Sequence, residues 1–178
     1  MTLPVIDLGG GACLRPWRAD DAPVLSRLAG DVEVWRWMSD GFPHPYTLAL
    51  AQHWVGPGHV DFGGDNWAIA QDDLAVGGCG VHQLDGPRRC NAEIGWWVGR
   101  DCWGRGLAPR AAMAMLAHAW HHWPEVTRIY APIHAGNQRS MRVAQKCGLV
   151  LEGMQPRSTM KAGQVIDCAV YAGYRELA

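Results

Sequence analysis

The sequence predicts an α+β domain built around one mixed β-sheet. Three observations carry this. Helical patterns dominate the first 55 residues after an initial strand. Three strand-like runs separated by short polar turns then occupy 66–98. Beyond them a helix, a strand, a helix and a closing pair of strands follow in turn. The order reads βααβββαβαββ, an antiparallel meander followed by βαβαββ.

Each element rests on its own pattern. "ACLRPWR" (12–18) reads as a strand, and residues 1–11 as a loose N-terminal segment of a single domain spanning 1–178. "DDAPVLSRLAGD" (20–31) reads as a helix, with Asp20 as cap, Pro23 in the first turn and Val24, Leu25 and Leu28 as its apolar stripe. "EVWRWM" continues as a second helical piece, and "SDGFPHPY" (39–46) is a Gly/Pro loop. "TLALAQHWV" (47–55) is a helix capped by Thr47, followed by a Gly/Pro-rich break at 56–64. "NWAIAQ", "LAVGGCGVHQL" and "RCNAEIGWWV" are strands turned by "DD" at 72–73 and "DGPR" at 85–88. Residues 107–122 make the strongest helix, ended by Pro124. "TRIYAPIH" (127–134) alternates as a strand, and 137–148 is a helix starting at Asn137 and stopped by Gly148. "LVLEGMQPRST" and "QVIDCAVYAGYR" close the chain as a hairpin.

Composition narrows the classes. With 178 residues, 48% of them hydrophobic and 19% charged, the chain can fill a core. A net charge of −1 argues against nonspecific nucleic-acid binding. No apolar run approaches the ~20 residues of a membrane helix, and the N-terminus lacks a signal-peptide pattern, so a cytoplasmic location is expected. None of the six cysteines forms a CxxC pair, which reads as reduced packing thiols. His118, His121 and His122 share a helix face at metal-like spacing, but no acidic or cysteine partner is evident, and no metal is expected.

The most informative stretch is "DCWGRGLAPRAAMAML" (101–116). Gly104 and Gly106 precede a helix start, so unpaired N–H groups and the helix dipole point at one spot. Pro109 fits the first turn, and Arg105 and Arg110 add charge. The loop alone is either a plain turn or an anion cradle. There is no GxxxxGK[ST], and Pro109 stands where a GxGxxG would need glycine, so ATP, GTP and NAD fit poorly. Trp96, Trp97 and Trp103 crowd the loop and are expected to shape a pocket.

"AEIGWWVGRDCWGRGLAPRAA" followed by "NQRSMRVAQKCGLVLEG" resembles the GNAT superfamily of acetyl-CoA-dependent N-acetyltransferases. The front end, "LRPWRADDAPVLSRLAGDVEVWRWM", is similar to the branch holding the ribosomal-protein alanine N-acetyltransferases. The family's Gln/Arg-x-x-Gly-x-Gly/Ala loop maps to Trp103, Gly104, Arg105, Gly106, Leu107 and Ala108, with Trp103 departing from its first position. The resemblance implies acetyl-CoA as co-substrate, its pyrophosphate held by backbone N–H groups of 104–108. It implies a sheet splayed between the strands at 93–98 and 127–134, with the pantetheine arm bonded near Trp97 and Val98. Asn137 caps its helix and by resemblance also meets that arm, with Ser140 near the thioester. Many members carry a tyrosine acid seven residues after this asparagine. Here that position is Ala144, and Ser140 is the candidate replacement.

The same resemblance places Trp35, Asp40, His44 and Tyr46 on the acceptor side. Arg142 and Lys146, one turn apart after Ser140, are either a solvated helix face or a contact for the 3′-phosphate or adenine end of CoA, a role for which Arg100, Arg105 and Arg110 compete. His134 could also touch substrate. Glu93 is the candidate base. Alternation puts it on the same side as Gly95 and Trp97, and burial among tryptophans would raise its pKa. The alternative is that Glu93 pairs with an arginine across the sheet. The expected reaction is direct attack of a primary amine on acetyl-CoA in a ternary complex, with a backbone N–H near Val98 holding the oxyanion. The acceptor is a protein N-terminus of ribosomal type or a small amine such as an aminoglycoside or polyamine. A non-catalytic acyl-CoA-binding module is the competing class. Asp31, Glu33, Asp40, Asp61 and Asp65 could form an acidic rim for a basic acceptor. A homodimer is a family-level expectation.

Overall fold

The computed structural model describes residues 5–176. Eight strands form one sheet: β1 (Ile6–Gly9), β2 (Ala12–Arg15), β3 (Asp65–Gln71), β4 (Leu74–Gln83), β5 (Asn91–Val98), β6 (Arg128–His134), β7 (Val150–Lys161) and β8 (Gln164–Tyr174). Their order is β1-β2-β3-β4-β5-β6-β8-β7. Every neighbouring pair is antiparallel except β5 and β6. The predicted α+β class and meander are therefore present, and the closing hairpin inserts β8 between β6 and β7.

The helices are α1 (Ala22–Ala29), α2 (Val32–Trp35), α3 (Leu48–His53), α4 (His59–Asp61), α5 (Leu107–His122) and α6 (Gln138–Lys146). Thr47 caps α3 as expected, its side chain accepting from the Leu50 N–H at 3.3 Å. Asn137 likewise caps α6 through the Ser140 N–H at 3.2 Å.

Three expectations need correction. The segment read as loose contains β1, which pairs with β2 and is tied to α5 by Arg110 donating to the Leu8 and Gly9 carbonyls at 2.9 and 2.6 Å; residues 1–4 lie outside the described residues. The break at 56–64 is a kinked helical path. Gly56, at φ −88° and ψ −117°, leaves the helical region and re-aims the chain into α4. Asp20 is not the cap of α1. Asp21 holds that position, and its carboxylate is engaged by Arg15 rather than by the helix.

Alternation along β5 divides the sheet's two faces. Ala92, Ile94 and Val98 join the core beneath α5, with Leu14, Trp67, Ile69, Met115 and Ile129. Trp97 points the other way and packs on the smaller core of Trp17, Leu25, Tyr46 and Ala68 under α1 and α3. Glu93 and Gly95 share its face by the period of two. The "GGCG" run of β4 makes room for this. A Cβ at Gly78 would stand 2.7 Å from the Trp97 indole nitrogen, and one at Gly77 would stand 2.2 Å from the Trp97 carbonyl. Glycine is what lets the tryptophan lie flat on its neighbour strand.

Arg15 and Asp21 fasten β2 to the start of α1. The guanidinium donates twice to the carboxylate, both at 2.8 Å, and once to the Asp73 carbonyl at 3.0 Å in the β3–β4 turn. The pair is almost wholly buried, with side-chain exposures of 2% and 6%. Removing one partner strands the other charge away from water. Asp21→Ala is expected to cost about 3–5 kcal/mol, read as a lowered urea midpoint with an unchanged slope.

Candidate active site

The site begins where the sheet comes apart. β5 and β6 pair over only three rungs: Asn91 with Arg128, Ala92 with Ile129, and Glu93 with Tyr130. Beyond them β5 stays paired to β4 through Val98, and β6 stays paired to β8 through His134. Each strand therefore follows its outer neighbour, and the inner edges of 94–98 and 131–134 face a gap with unpaired backbone groups.

The glycine loop sits at the open end of this gap. Gly104 and Gly106 have φ of 78° and 72°, the left-handed region that favours glycine. A Cβ at either would meet nothing within 4 Å. Among the described residues, no acceptor meets the N–H groups of Gly104, Arg105, Gly106, Leu107 or Ala108. Several donors at the positive end of a 16-residue helix, with open space before them, make an anion cradle. Pro109 lies in the first turn, as expected.

Loop, gap and α6 enclose one cleft of about 370 Å³. Its walls include Trp97, Val98, Trp103, Gly104, Gly106, Leu107, Ala108, Asn137, Ser140 and Arg142, so ten of the residues anticipated from sequence converge. Arg105 does not line it and is exposed. Arg110 is spent on β1. Trp103 fixes the strand end by donating from its indole to the Val98 carbonyl at 2.7 Å. Arg139, which the sequence did not single out, lies 4.3 Å over the Trp103 ring and lines the same cleft. Val34, Trp37 and Met38 were missed as well. They come from α2 and the turn after it, which only the packing brings to the gap.

Glu93 stands at the closed end of the gap, on the last paired rung, and is not among the walls of the cleft. It accepts from the Tyr130 hydroxyl at 3.0 Å. Neither the expected tryptophan cage nor an arginine partner is seen there, because alternation sends Trp96 to the opposite face and the parallel register supplies Tyr130 instead. Burial and the nearby carboxylate push the Tyr130 phenol up to about 12. Ala144 is fully buried in the main core, so that position offers no acid.

The four residues assigned to the acceptor side separate. Tyr46 is buried in the smaller core, stacked on Phe42 at 5.0 Å, and burial raises its pKa to about 12. Trp35 is sandwiched between His44, with ring centroids 4.7 Å apart, and the Lys161 ammonium at 4.1 Å. Asp40 accepts from the Ala162 N–H at 2.7 Å. Trp35 and Asp40 thus latch the β7–β8 tip to the 36–46 loop, and none of the four lines the cleft. The histidine face on α5 gains a partner that the sequence did not reveal: His118 meets Asp65 at 2.8 Å. Among the described residues no group of three metal-type ligands forms, and no helix is long and apolar enough to cross a membrane.

A sheet splayed after three parallel rungs, with a glycine-cradled helix start at its open end, defines the class: an N-acetyltransferase fold. Residues 12–150 match the family model described as the acetyltransferase (GNAT) domain, and the chain belongs to that family. YdaF of Bacillus subtilis is 27% identical over 114 residues, 64% of this chain and 61% of that relative's length. The ribosomal-protein-serine acetyltransferase of Escherichia coli is 26% identical over 104 residues, 58% of this chain and 57% of that enzyme. Among solved structures, RimL, a ribosomal L7/L12 α-N-protein acetyltransferase in complex with coenzyme A, superposes with a TM-score of 0.82 at 19% identity, covering 96% of this chain and 98% of that one. At that identity the likeness concerns the fold.

His134 ends β6 on the face of Tyr130. It is 9% exposed, and its Nδ1 has no partner. Around it stand Lys161 with Asp40 beside it, Cys168 as its β8 register partner, and Tyr130 with Glu93 further down the strand. Burial, then the Lys161 charge, lowers its pKa. A histidine held neutral in this way binds its proton more weakly folded than unfolded. Stability must therefore fall as pH drops through the ordinary histidine value of ~6.5 toward the lower folded one. His134→Gln is expected to reduce the loss of urea midpoint between pH 7.5 and pH 5 relative to the parent.

Proposed function

We propose that this chain transfers the acetyl group of acetyl-CoA to the α-amine of a protein N-terminus of ribosomal type, by direct attack within a ternary complex. The gap between β5 and β6 carries the reading. It offers unpaired strand groups along its length and an anion cradle at its mouth. The named relatives that act on ribosomal proteins support the acceptor class.

The residues fit acetyl-CoA by charge and by space. The N–H groups of 104–108 would hold the pyrophosphate, and Arg139, Arg142 and Lys146 line the same cleft as the remaining cations. The inner edge near Trp97 and Val98 would bond the pantetheine arm, with the Asn137 amide opposite. When bound, acetyl-CoA supplies an activated thioester.

The chain's own groups manage the protons. An ammonium has no lone pair, and an α-amine of pKa ~8 is partly neutral near pH 7. Glu93, which does not itself line the cleft, collects through water the proton that leaves as the C–N bond forms, with Tyr130 holding its other side. A backbone N–H near Val98 bears the developing oxyanion. The Ser140 hydroxyl, at the first turn of α6, hydrogen-bonds the departing thiolate.

Two variants and one survey test this. Gly106→Val should weaken acetyl-CoA binding at least about tenfold by calorimetry. Its fold should survive, because a Cβ there meets open space, although the left-handed φ costs about 1–2 kcal/mol. Glu93→Gln should lower kcat/KM by about 100-fold near pH 7; an unchanged profile over pH 6–9 removes Glu93 as base. N-terminal acetylation of ribosomal and cytosolic proteins, measured by mass spectrometry with and without the enzyme, should change at specific ribosomal N-termini. Turnover on aminoglycosides or polyamines alone points to a small-molecule enzyme. Tight CoA binding without turnover on any amine identifies a binding module.

A further inference from the structure

The walls of the cleft are of two chemistries. One part is polar and cationic: the glycine loop, Asn137, Arg139, Arg142 and Lys146. The other is an apolar mouth of Val34, Trp37, Met38 and Trp97, the last packed on the smaller core. A carrier held at the glycine loop fills the cationic side, and the apolar mouth is left for the acceptor.

We infer that the acceptor's amine-bearing end is apolar and uncharged: a peptide N-terminus whose first residue is Met, Leu or Phe. The inference rests on the acetyl-transfer reading above and names its acceptor class.

Charge is the first argument. No carboxylate lines the cleft. The acids expected to form a rim are engaged elsewhere. Asp31 caps α2 through the Glu33 N–H at 2.8 Å, and Glu33 itself pairs with Arg36 at 3.1 Å. Asp40 is bonded to the β7–β8 tip, and Asp65 to His118. Asp61 is on α4, which contributes nothing to the cleft. The cations near the apolar mouth are paired: Arg36, 5.7 Å over the Trp37 ring, is bound to Glu33, and Lys161, over Trp35, stands beside Asp40. A polycation entering here would shed water and find no unpaired carboxylate on the walls.

Shape is the second. Trp97 is held flat on Gly78, and Val34 is buried, so this mouth has a fixed apolar floor. Trp37 and Met38 are half-buried and form its rim. An uncharged aliphatic or aromatic side chain beside the amine covers this surface. The backbone carbonyl after the first residue keeps the amine's pKa near 8, where a neutral fraction is available.

The test uses the purified full chain, acetyl-CoA and heptapeptides differing only in their first residue. Thiol release should give kcat/KM for Met-, Leu- and Phe-initiated peptides about 10- to 100-fold above Asp- or Lys-initiated ones, with spermidine and kanamycin lower still. Peptide binding, followed by quenching of tryptophan fluorescence in the presence of desulfo-CoA, should show the same order without any turnover. Trp37→Ala should bring the peptide ratio toward one, with acetyl-CoA affinity within about threefold of the parent. Should that variant fail to fold, Met38→Ser addresses the same rim with a smaller change. Equal rates across the peptides, a preference for charged first residues, or best turnover on spermidine or kanamycin overturns the inference while leaving acetyl transfer intact. Acetyl-CoA binding with no amine acetylated overturns the acetyl-transfer reading, and this inference with it.

Discussion

Three rungs of parallel pairing join the two antiparallel sections of the sheet, and the cleft follows from their stopping at Glu93 and Tyr130. β5 is committed to β4 over seven register pairs and β6 to β8 over seven more. With each strand bound to its outer neighbour, the twist of the two antiparallel sections carries them apart once the parallel ladder ends. The result is an internal sheet edge: unpaired N–H and C=O groups inside a folded protein, kept solvated until a ligand covers them. Such an edge would be a liability at the rim of a sheet. Here residues of α2, α5 and α6 line the cleft around it.

The two sides of the gap are tuned differently by their neighbours. α5 presents its N-terminus, with left-handed glycines and free N–H groups, and α6 adds Arg139, Arg142 and Lys146. The opposite side is built from aromatic surface laid on glycine. Gly77 and Gly78 allow Trp97 to approach β4 closely, and Trp103 clamps the Val98 carbonyl at the strand's end. The 36–46 loop is also tied at a distance, because Lys161 donates to the Ser39 carbonyl at 3.2 Å while Asp40 accepts from the Ala162 N–H. Residues separated by 122 positions therefore set the shape of one loop.

Buried charge is confined to places where it has partners. Arg15 is bidentate with Asp21 and reaches the β3–β4 turn, so it organises three elements at once. It also explains why a helix start that reads as acid-capped is not: the carboxylate takes two bonds from the guanidinium and one from the Arg18 N–H ahead of α1, and none from the N–H groups of α1 itself. His134 is the counterexample, a buried ring whose Nδ1 finds no partner and whose neighbour is a cation.

The glycine loop, the proline after it, the Asn137 cap, the meander and the closing hairpin were all legible in sequence, because each is decided within a few residues by φ preference, capping or alternation. That local chemistry determined the fold class, and with the resemblance to the GNAT family it pointed to ten of the cleft's walls. Tertiary structure alone decided the rest. Tyr46 and Asp40 look like surface ligands in a loop, yet one is core under α1 and α3 and the other a latch to the hairpin that arrives from residue 160 onward. Trp37, Met38 and Arg139 carried no signal, because lining a cleft is a relation between distant elements rather than a property of a segment. The "GGCG" run was a signal left unread: consecutive glycines inside a strand announce that something bulky lies close, but only packing could say that it was Trp97. Glu93 was placed on its face by a period of two, and its partner by a parallel register that no short-range pattern encodes.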